Sequence, residues 1–339
     1  MKTAVVILNW NTKDYLRKFL PPLLDSVRGL DAEVIVADSA STDGSMEMMA
    51  AEFPDVRRIP LADNYGFTGG YNRALAEVAA TYYVLINSDI EVTPEWLEPL
   101  VGWMDTHPEC GVCGPKLLSW YRRDTFEYAG AAGGLLDRYG YPFCRGRVMS
   151  KVEKDTGQYD TPADVMWVSG ACMVVRSSLW KSLGGLDDRF FAHMEEIDFC
   201  WRAHLEGLLV TVVPQSSVYH IGGGTLPSTS PWKLRLNFRN NLLMMENNLA
   251  RTYASRGCRH PFGKAARVLF FRQILDGGSA LVYLLTGNIP YFKAVFSAHK
   301  EFRSLRRRPD PEKVRTQKAV RLDGLCDFWM IPRAVFRKL

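Results

Sequence analysis

Short apolar runs and amphipathic stretches alternate through the first hundred residues, and this pattern predicts alternating strands and helices. Strands are predicted over residues 4–8, 33–37, 57–61 and 82–86. Helices are predicted over residues 12–27 and 67–80, and another is predicted to begin after the polar segment 41–45. A fourth is predicted to begin at the cap Thr93-Pro94-Glu95-Trp96. The series predicts an α/β fold with a mostly parallel central sheet flanked by helices. Ligands in such folds bind beyond the carboxyl ends of the strands.

The rest of the chain divides into an irregular middle and a helical end. Residues 114–159 are rich in Gly, Tyr and Arg and lack periodicity, which predicts long loops and short strands over the ligand site. An apolar run at 208–213 predicts another strand, and the chain is predicted to be helical from Trp232 onward. Residues 251–339 carry 19 Lys and Arg against 6 Asp and Glu, whereas residues 1–250 have a net charge of −8. We therefore predict an acidic body over 1–250 and a basic helical extension over 251–339.

Cysteine usage and the absence of a leader pattern indicate a cytoplasmic protein. The seven cysteines are scattered and odd in number, which favours a reducing compartment. The pair Cys110 and Cys113 lacks a second pair, so a zinc or redox role is disfavoured. The chain opens directly into a predicted strand, without the pattern of a signal peptide. The longest uncharged apolar run, 277–289, is shorter than the roughly 20 residues that a bilayer span needs.

Polar side chains follow the predicted strands at the edge where ligands are expected. They are Asn9, Asn11, Asp38, Asp43, Asn87, Ser88 and Asp89. An acid such as Asp89, directly after a buried strand, is a suitable ligand for Mg²⁺ or Mn²⁺, or it simply caps the turn. His220 follows the strand run 208–213 and precedes three glycines, a setting that suits a metal site, a diphosphate site or a structural histidine.

Residues 190–202 place three carboxylates among large apolar side chains, where an unpaired charge is costly. If this segment is helical, Glu195, Asp198 and Arg202 share a face, and Asp198 with Arg202 forms an ordinary i, i+4 ion pair. Glu196 points elsewhere and has no helical partner. It is therefore the better candidate for a general base.

Two common nucleotide-binding signatures are missing from the sequence. The first predicted strand is followed by Asn9, Trp10 and Asn11 rather than a G-x-G-x-x-G run, and no P-loop occurs. The Gly-rich segment 64–73 opens a predicted helix, so its amides either approach a phosphate or sugar or form a plain loop-to-helix junction. The basic extension over 251–339 has no recognisable nucleic-acid-binding motif, so a nucleic-acid partner is not expected.

Taken in order, these segments resemble family 2 glycosyltransferases of the GT-A fold, and most of all the bacterial rhamnosyltransferase-like members of polysaccharide biosynthesis. The resemblance covers about residues 3–245. Its motifs are VVILNWN at 5–11, VADSASTDGS at 36–45, NYGF at 64–67, NSD at 87–89, SGACM at 169–173, GGLD at 184–187, EEID at 195–198 and HIGGG at 220–224.

The resemblance implies a metal-dependent transferase that moves a sugar from a nucleotide-diphosphate donor to an acceptor hydroxyl with inversion. The implied donor-binding residues are Asn9, Asn11, Asp38, Asp43, Asn64, Gly66, Asn87 and Ser88. It implies Mg²⁺ or Mn²⁺ at Asp89 with His220 as a further ligand. The family's catalytic base, usually the aspartate of a Glu-Asp pair, corresponds to Glu196, although Glu195 is also possible. The implied acceptor or diphosphate residues are Trp167, Gly170, Ala171, Arg239 and Asn240.

A lipid-linked saccharide acceptor would explain the basic extension. We expect Arg303 and residues 306–308, near the apolar stretches 282–285 and 291–296, to meet anionic headgroups on the cytoplasmic face of the membrane. A solvated basic face or an oligomer contact is the alternative. Two other functions stay open: a nucleotidyltransferase, and an inactive protein that only binds nucleotide sugars. Uridine, thymidine and guanosine diphosphate sugars all remain possible donors.

Overall fold

The computed structural model describes residues 1–222 and 230–327. Its strands are β1 (Thr3–Asn9), β2 (Ala32–Asp38), β3 (Arg57–Pro60), β4 (Tyr82–Ile86), β5 (Ile90–Val92), β6 (Cys110–Ser119), β7 (Gly134–Leu136), β8 (Pro142–Cys144), β9 (Arg147–Val148), β10 (Lys151–Val152), β11 (Ala163–Asp164), β12 (Cys172–Arg176) and β13 (Leu209–His220). Its helices are α1 (Lys13–Ser26), α2 (Ser45–Glu52), α3 (Gly66–Ala76), α4 (Leu97–Thr106), α5 (Ser177–Leu183), α6 (Glu195–Leu205), α7 (Pro231–Ser255), α8 (Pro261–Leu285), α9 (Ile289–Leu305) and α10 (Pro311–Arg315).

The central sheet has nine strands in the order β11-β13-β6-β12-β4-β1-β2-β3, with β5 added beside β13. The half that runs from β4 to β3 is entirely parallel, as predicted, and β3 forms its edge. Strand β12 runs antiparallel between β4 and β6, so the whole sheet is mixed. Successive residues of β1 point to opposite faces and enter two separate apolar cores, which explains its unbroken apolar run.

Strand β6 corrects the prediction that residues 114–159 consist only of loops and short strands. Its ten residues are almost wholly buried in the middle of the sheet. Two glycines of this strand are needed for packing. A Cβ at Gly111 would lie 2.7 Å from Leu179, and one at Gly114 would lie 2.9 Å from Val168. The rest of the middle does contain short strands, because β7 to β10 form a separate four-stranded antiparallel sheet.

Two predicted helix boundaries are wrong. The Thr93-Pro94-Glu95-Trp96 segment does not start α4, which begins at Leu97. Glu95 has a φ of +57° and Thr93 donates its hydroxyl to the carbonyl of Ser217, so this segment forms a turn tied to β13. Helix α3 ends at Ala76 rather than at residue 80.

The C-terminal region is helical as predicted, with α7 packed against α6, α8 and α9. The predicted division at residue 250 falls inside α7, which continues to Ser255. The apolar run 277–289 lies mostly within the 25-residue helix α8, which is long and apolar enough to cross a membrane by length and composition. The sequence prediction concerned the uncharged run 277–289 alone, and α8 is longer because it also includes the preceding residues from Pro261. Residues 328–339 of the predicted extension lie outside the described part of the chain.

Candidate functional site

Asn9 and Asp38, at the carboxyl ends of adjacent parallel strands, form the centre of a polar network. The side-chain amide of Asn9 donates to Asp38 at 2.6 Å and to the hydroxyl of Ser41 at 3.0 Å. Asp38 also accepts the backbone amide of Ser41 at 3.0 Å. Thr12 donates to Asn9 at 2.5 Å and lies 2.8 Å from the hydroxyl of Ser88. The sequence prediction that these strand ends converge is confirmed.

Asn11 and Asp43 stabilise the loops around this network. Asn11 has a φ of +54° and accepts the amide of Thr42 at 2.7 Å. Asp43 accepts the amide of Lys13, the first residue of α1, at 2.9 Å and that of Ser45, the first residue of α2, at 3.0 Å. Desolvation opposes ionisation of Asp43, but the hydrogen bonds from Ser45 and Lys13 outweigh it and lower the pKa of the carboxyl. In this structure Asp43 thus anchors two helix N-termini.

The Gly-rich turn that opens α3 packs directly on the segment before α6. Asn64 accepts the amide of Gly66 at 2.9 Å, which folds the turn. Gly66 has a φ of +69°, and a Cβ there would lie 2.5 Å from the carbonyl oxygen of Phe191. The amide of Thr68 donates to that same oxygen at 3.2 Å. Only glycine fits this position.

Residues 170–171 connect the acidic turn after β4 with helix α6. The amide of Asn87 donates to the carbonyl of Ala171 at 2.9 Å. Gly170 lies against the catalytic-base candidate, because a Cβ there would be 3.4 Å from the Cβ of Glu196. The turn that carries Ser88 and Asp89 and the helix that carries Glu196 therefore lie beside the same two adjacent residues.

Glu195 and Glu196 occupy the first turn of α6, and each has a buried carboxylate oxygen that accepts no hydrogen bond from any described residue. Desolvation raises the pKa of Glu196 to about 7, although amides at the helix N-terminus favour the ionised form. Desolvation and the neighbouring Glu196 raise the pKa of Glu195 well above its usual range. Asp198 makes the predicted ion pair with Arg202 at 2.7 Å and accepts two further hydrogen bonds from Asn247 and Asn248. The pair Glu195 and Glu196 is thus available for chemistry, whereas Asp198 is structural.

The segment before α6 has an unusual backbone that side chains of α7 hold in place. Phe191, His193 and Met194 all have φ between +64° and +72°, a region that costs energy for residues with a Cβ. The amide of Asn240 donates to the carbonyls of Phe190 at 2.9 Å and of Ala192 and His193 at 2.7 Å each.

Arg239 extends this network, and neither side chain is left free for a ligand. Arg239 donates to the carbonyl of Phe190 at 2.7 Å and to Asn240 at 2.8 Å, and it pairs with Glu301 at 3.2 Å. Both side chains are buried behind the segment that they hold. The predicted contact of Arg239 and Asn240 with acceptor or diphosphate therefore has no support in their geometry, which fits a positioning role.

Asp89 and His220 lie together, as the metal prediction requires. The Nε2 atom of His220 is 3.2 Å from Asp89, and its Nδ1 atom is 3.6 Å from Glu127. All three side chains are buried. Although desolvation opposes protonation, Asp89 and Glu127 raise the pKa of His220 to about 10. In return, His220 lowers the pKa of Asp89 against the effect of burial.

This pair fits a divalent cation that displaces the proton of His220, because only a neutral imidazole can be a ligand. Two ligands at about 2.1 Å in neighbouring positions of an octahedral ion lie about 3 Å apart, close to the separation of Asp89 and His220. Among the described residues, no group of three His, Cys, Asp or Glu side chains is arranged to hold a metal alone. Oxygen atoms of a diphosphate or water would complete the coordination. The glycines at 223 and 224 of the predicted motif lie outside the described residues.

The structure places Trp167 in the core and brings three further residues to the site. Trp167 is buried against Gly134 and donates to the carbonyl of Leu135 at 3.1 Å, so it belongs to the core. The additions are Glu127, His193 and Lys233. Desolvation and the nearby Lys233 lower the pKa of His193 to about 4, and Lys233 also interacts with Glu127. No spacing motif marks these residues, because they come from three separate segments.

Comparison with known proteins was made by sequence family, by sequence and by structure. The model of the family described as "Glycosyl transferase family 2" matches residues 4–181. The N-acetylglucosaminyl-diphospho-decaprenol L-rhamnosyltransferase of Mycobacterium tuberculosis is 27% identical over 64% of this chain and 75% of its own length. The dTDP-rhamnosyl transferase RfbF of Shigella flexneri is 23% identical over 72% of this chain and 79% of its own length.

The fold has solved counterparts. The structure of GalNAc-T7 with UDP, GalNAc and Mn²⁺ superposes with a TM-score of 0.58 at 16% identity, and the match covers 76% of this chain and 50% of that one. This similarity confirms the predicted GT-A fold: a mixed central sheet with flanking helices, followed here by a helical C-terminal region.

Proposed function

Because the chain belongs to glycosyl transferase family 2, we propose that it transfers rhamnose or a related hexose from a nucleotide-diphosphate sugar to a hydroxyl of a lipid-linked saccharide. The observation that supports this proposal is the proximity of two elements on either side of Gly170 and Ala171. One element is the Asp89 turn, and the other is the N-terminus of α6 with its two unpaired carboxylates. A glycosyl transfer needs both: a site for the leaving diphosphate and a base for the acceptor hydroxyl.

The donor nucleotide would bind beyond the ends of β1, β2 and β4. Asn9, Asp38 and Ser88 lie there in one hydrogen-bonded network, with Asn11 and Asp43 holding the loops around it. The turn formed by Asn64 and Gly66 borders the same side of the catalytic segment. Relatives that act on rhamnosyl donors, one of them described as a dTDP-rhamnosyl transferase, favour dTDP-rhamnose among the possible donors.

Asp89 and His220 would hold Mg²⁺ or Mn²⁺, and the bound cation would offset the negative charge of the nucleoside diphosphate leaving group. Glu127 faces the other ring nitrogen of His220 and would orient the imidazole toward the cation. Lys233, half-buried near Glu127, would add a positive charge beside the diphosphate.

Glu196 would act as the general base. Its carboxylate would take the proton from the acceptor hydroxyl while that oxygen attacks the anomeric carbon from the face opposite the leaving group. A single displacement of this kind inverts the anomeric configuration. Since its pKa is about 7, Glu196 is both ionised in a large fraction of molecules near neutral pH and basic enough to accept the proton. Glu195, whose pKa is raised further, would stay protonated beside it, so that the negative charge lies on Glu196.

The test is a transfer assay with purified full-length chain, a panel of nucleotide sugars that includes dTDP-rhamnose, and a polyprenyl-diphosphate-linked N-acetylglucosamine acceptor. We expect metal-stimulated formation of a disaccharide lipid, detected by mass spectrometry, with inverted anomeric configuration by NMR. The variant Glu196→Gln should bind the nucleotide but form product at least about 10³-fold more slowly.

Two outcomes would decide against the proposal. Nucleotide-sugar binding without transfer to any acceptor, unchanged in Glu196→Gln, would support the alternative of an inactive binding protein. Release of inorganic diphosphate from a nucleoside triphosphate and a sugar phosphate would support a nucleotidyltransferase instead.

A further inference from the structure

The outer surface of helices α8 and α9 is unusually apolar for an exposed surface. Of the 15 large hydrophobic side chains that are exposed in the described residues, 10 lie between Phe262 and Phe296. Six of them form the outer face of α8: Phe270, Phe271, Ile274, Leu281, Val282 and Leu285. Leu285 is 77% exposed and Phe270 is 60% exposed. Soluble proteins rarely expose so many apolar side chains on one face, so this surface is expected to contact a membrane or another protein.

Two buried charges fix the opposite face of α8 to the protein. Arg272 pairs with Asp276 at 2.8 Å and donates to the carbonyl of Tyr139 at 2.9 Å. Asp276 also lies 3.3 Å from Nε2 of His299 on α9. Removing α8 from the body would keep the Arg272–Asp276 pair but would break the contacts of Arg272 with Tyr139 and of Asp276 with His299, leaving buried charged groups with fewer partners. The helix is therefore oriented along the protein surface, with one face available.

Positive charges border the apolar face. On α9, the exposed positions Ile289, Lys293, Phe296, Lys300 and Arg303 follow each other at helical spacing, so apolar and cationic side chains share one stripe. On α8, Lys264 and Arg267 are exposed one turn or more before Phe270. Asp276 and Glu301 are the acidic residues between positions 256 and 308, and the structure pairs both with cationic side chains.

We propose that this surface, defined by the exposed residues of 262–303, is a membrane-docking face that lies in the interface of an anionic bilayer. The apolar outer face of α8 would enter the boundary between headgroups and acyl chains, and its run from Phe270 to Leu285 is about 22 Å long. The lysines and arginines at its border would contact lipid phosphates. A second copy of the chain is the less suitable occupant, because two identical cationic borders would repel each other.

The residues expected at the membrane differ from those that the sequence indicated. Arg306 pairs with Glu246 at 2.8 Å, and the amide of Arg307 donates to the same carboxylate at 3.1 Å. These residues follow the far end of α9, about 25 Å from Ile289. The cationic residues next to the apolar face are Lys264, Arg267, Lys293, Lys300 and Arg303 instead, so the predicted role of the 306–308 cluster is not needed.

The test is co-sedimentation of the full chain with vesicles of phosphatidylglycerol and phosphatidylcholine in equal parts, compared with phosphatidylcholine alone. We expect binding to the anionic vesicles that is weaker at high salt. The double variant Ile274→Asp/Val282→Asp should lose roughly tenfold or more of this binding, because it places charges in the apolar layer. Lys293→Glu/Lys300→Glu should lose about fivefold per lysine with anionic vesicles only.

The control is Met149→Asp, which changes an exposed apolar residue elsewhere and should leave vesicle binding unchanged. All substituted positions are exposed, so circular dichroism and melting temperature should match the native chain. Wild-type protein that fails to bind vesicles, or binding that survives Ile274→Asp/Val282→Asp, would overturn the proposal. So would a dimer in sedimentation equilibrium that this variant dissociates while vesicles remain unbound.

Vesicle binding requires neither donor nor acceptor, so its result is independent of the proposed transfer reaction. With a short water-soluble acceptor, Ile274→Asp/Val282→Asp should transfer sugar at the native rate. With the lipid-linked acceptor in vesicles, the same variant should be slower. Loss of activity on both acceptors would indicate damage to the enzyme rather than to docking.

Discussion

The side-chain amide of Asn240 lies 2.7 Å from the carbonyl oxygen of His193, two residues before the first turn of the helix that carries Glu195 and Glu196. The same amide contacts the carbonyls of Phe190 and Ala192. Since Phe191, His193 and Met194 hold left-handed backbone conformations, the surrounding contacts must compensate for their conformational cost. One side chain of α7 therefore maintains the geometry of the candidate catalytic helix.

We expect Asn240→Ala to lower kcat by about 10- to 100-fold while changing the KM for the donor little, because the base is displaced but the nucleotide pocket is intact. Loss of buried hydrogen bonds should also reduce the free energy of unfolding by about 1–3 kcal/mol. Steady-state kinetics and urea denaturation measure the two effects. Asn237→Ala, on the same helix, is the matched control. A higher donor KM with unchanged kcat would indicate a ligand contact instead of positioning.

The roles of Glu195 and Glu196 can be separated by single substitutions. If Glu196 is the base, Glu196→Gln should reduce kcat by about 10³-fold or more. Glu195→Gln should retain measurable activity with little change in the apparent pKa of its rate profile, because the raised pKa of Glu195 leaves that side chain uncharged while Glu196 ionises. The native kcat should rise with pH through about 7 as Glu196 ionises. The reverse order of the two variants would identify Glu195 as the base.

The carboxyl group of Glu196 should also make the stability of the protein depend on pH. Burial raises the folded-state pKa of Glu196 from its usual 4.5 to about 7, so its favourable contribution is complete below pH 4.5 and is lost as pH rises through 7. In Glu196→Gln the side chain cannot ionise, so this loss of stability does not occur. Its melting temperature should match that of the native protein near pH 4 and exceed it at pH 8. Equal melting temperatures of the variant and the native protein at both pH values would mean that other groups stabilise the ionised carboxylate of Glu196, so that its pKa is not raised.

The sequence predicted the parallel half of the sheet and the residues at its strand ends, because buried strands and the polar residues after them are local signals. It did not predict the full length of β6, because the need for glycine at 111 and 114 comes from the packing of Leu179 and Val168, which has no local signal. Asn240 was recognised only by its motif. Its actual partners are backbone carbonyls about 50 positions earlier, and backbone acceptors have no sequence signature.

Metal binding can be followed without turnover. We expect Mn²⁺ to increase the thermal stabilisation by dTDP in the native chain, by mass action on the folded state. Asp89→Asn should abolish this increase. Glu127→Gln should weaken the apparent Mn²⁺ affinity by about tenfold, because His220 loses the carboxylate that faces its other nitrogen. Asp124→Asn, an exposed carboxylate three residues earlier, is the control. If Asp89→Asn and the native chain respond alike to Mn²⁺, the cation binds elsewhere.

Gly66 joins the Gly-rich turn that opens α3 to the segment before α6, so a methyl group at this position should affect both. In Gly66→Ala, the new Cβ would meet the carbonyl of Phe191 at 2.5 Å and would require an alanine at a φ of +69°. We expect a loss of about 2–4 kcal/mol in the free energy of unfolding, together with a lower kcat and a higher donor KM. Gly29→Ala provides the comparison, because Gly29 has a φ of +84° but no atom within 4 Å of its would-be Cβ. This control should cost only the backbone strain, about 1–2 kcal/mol, with native kinetics. Equal effects of the two substitutions would mean that the close approach of Gly66 to Phe191 does not contribute to the site.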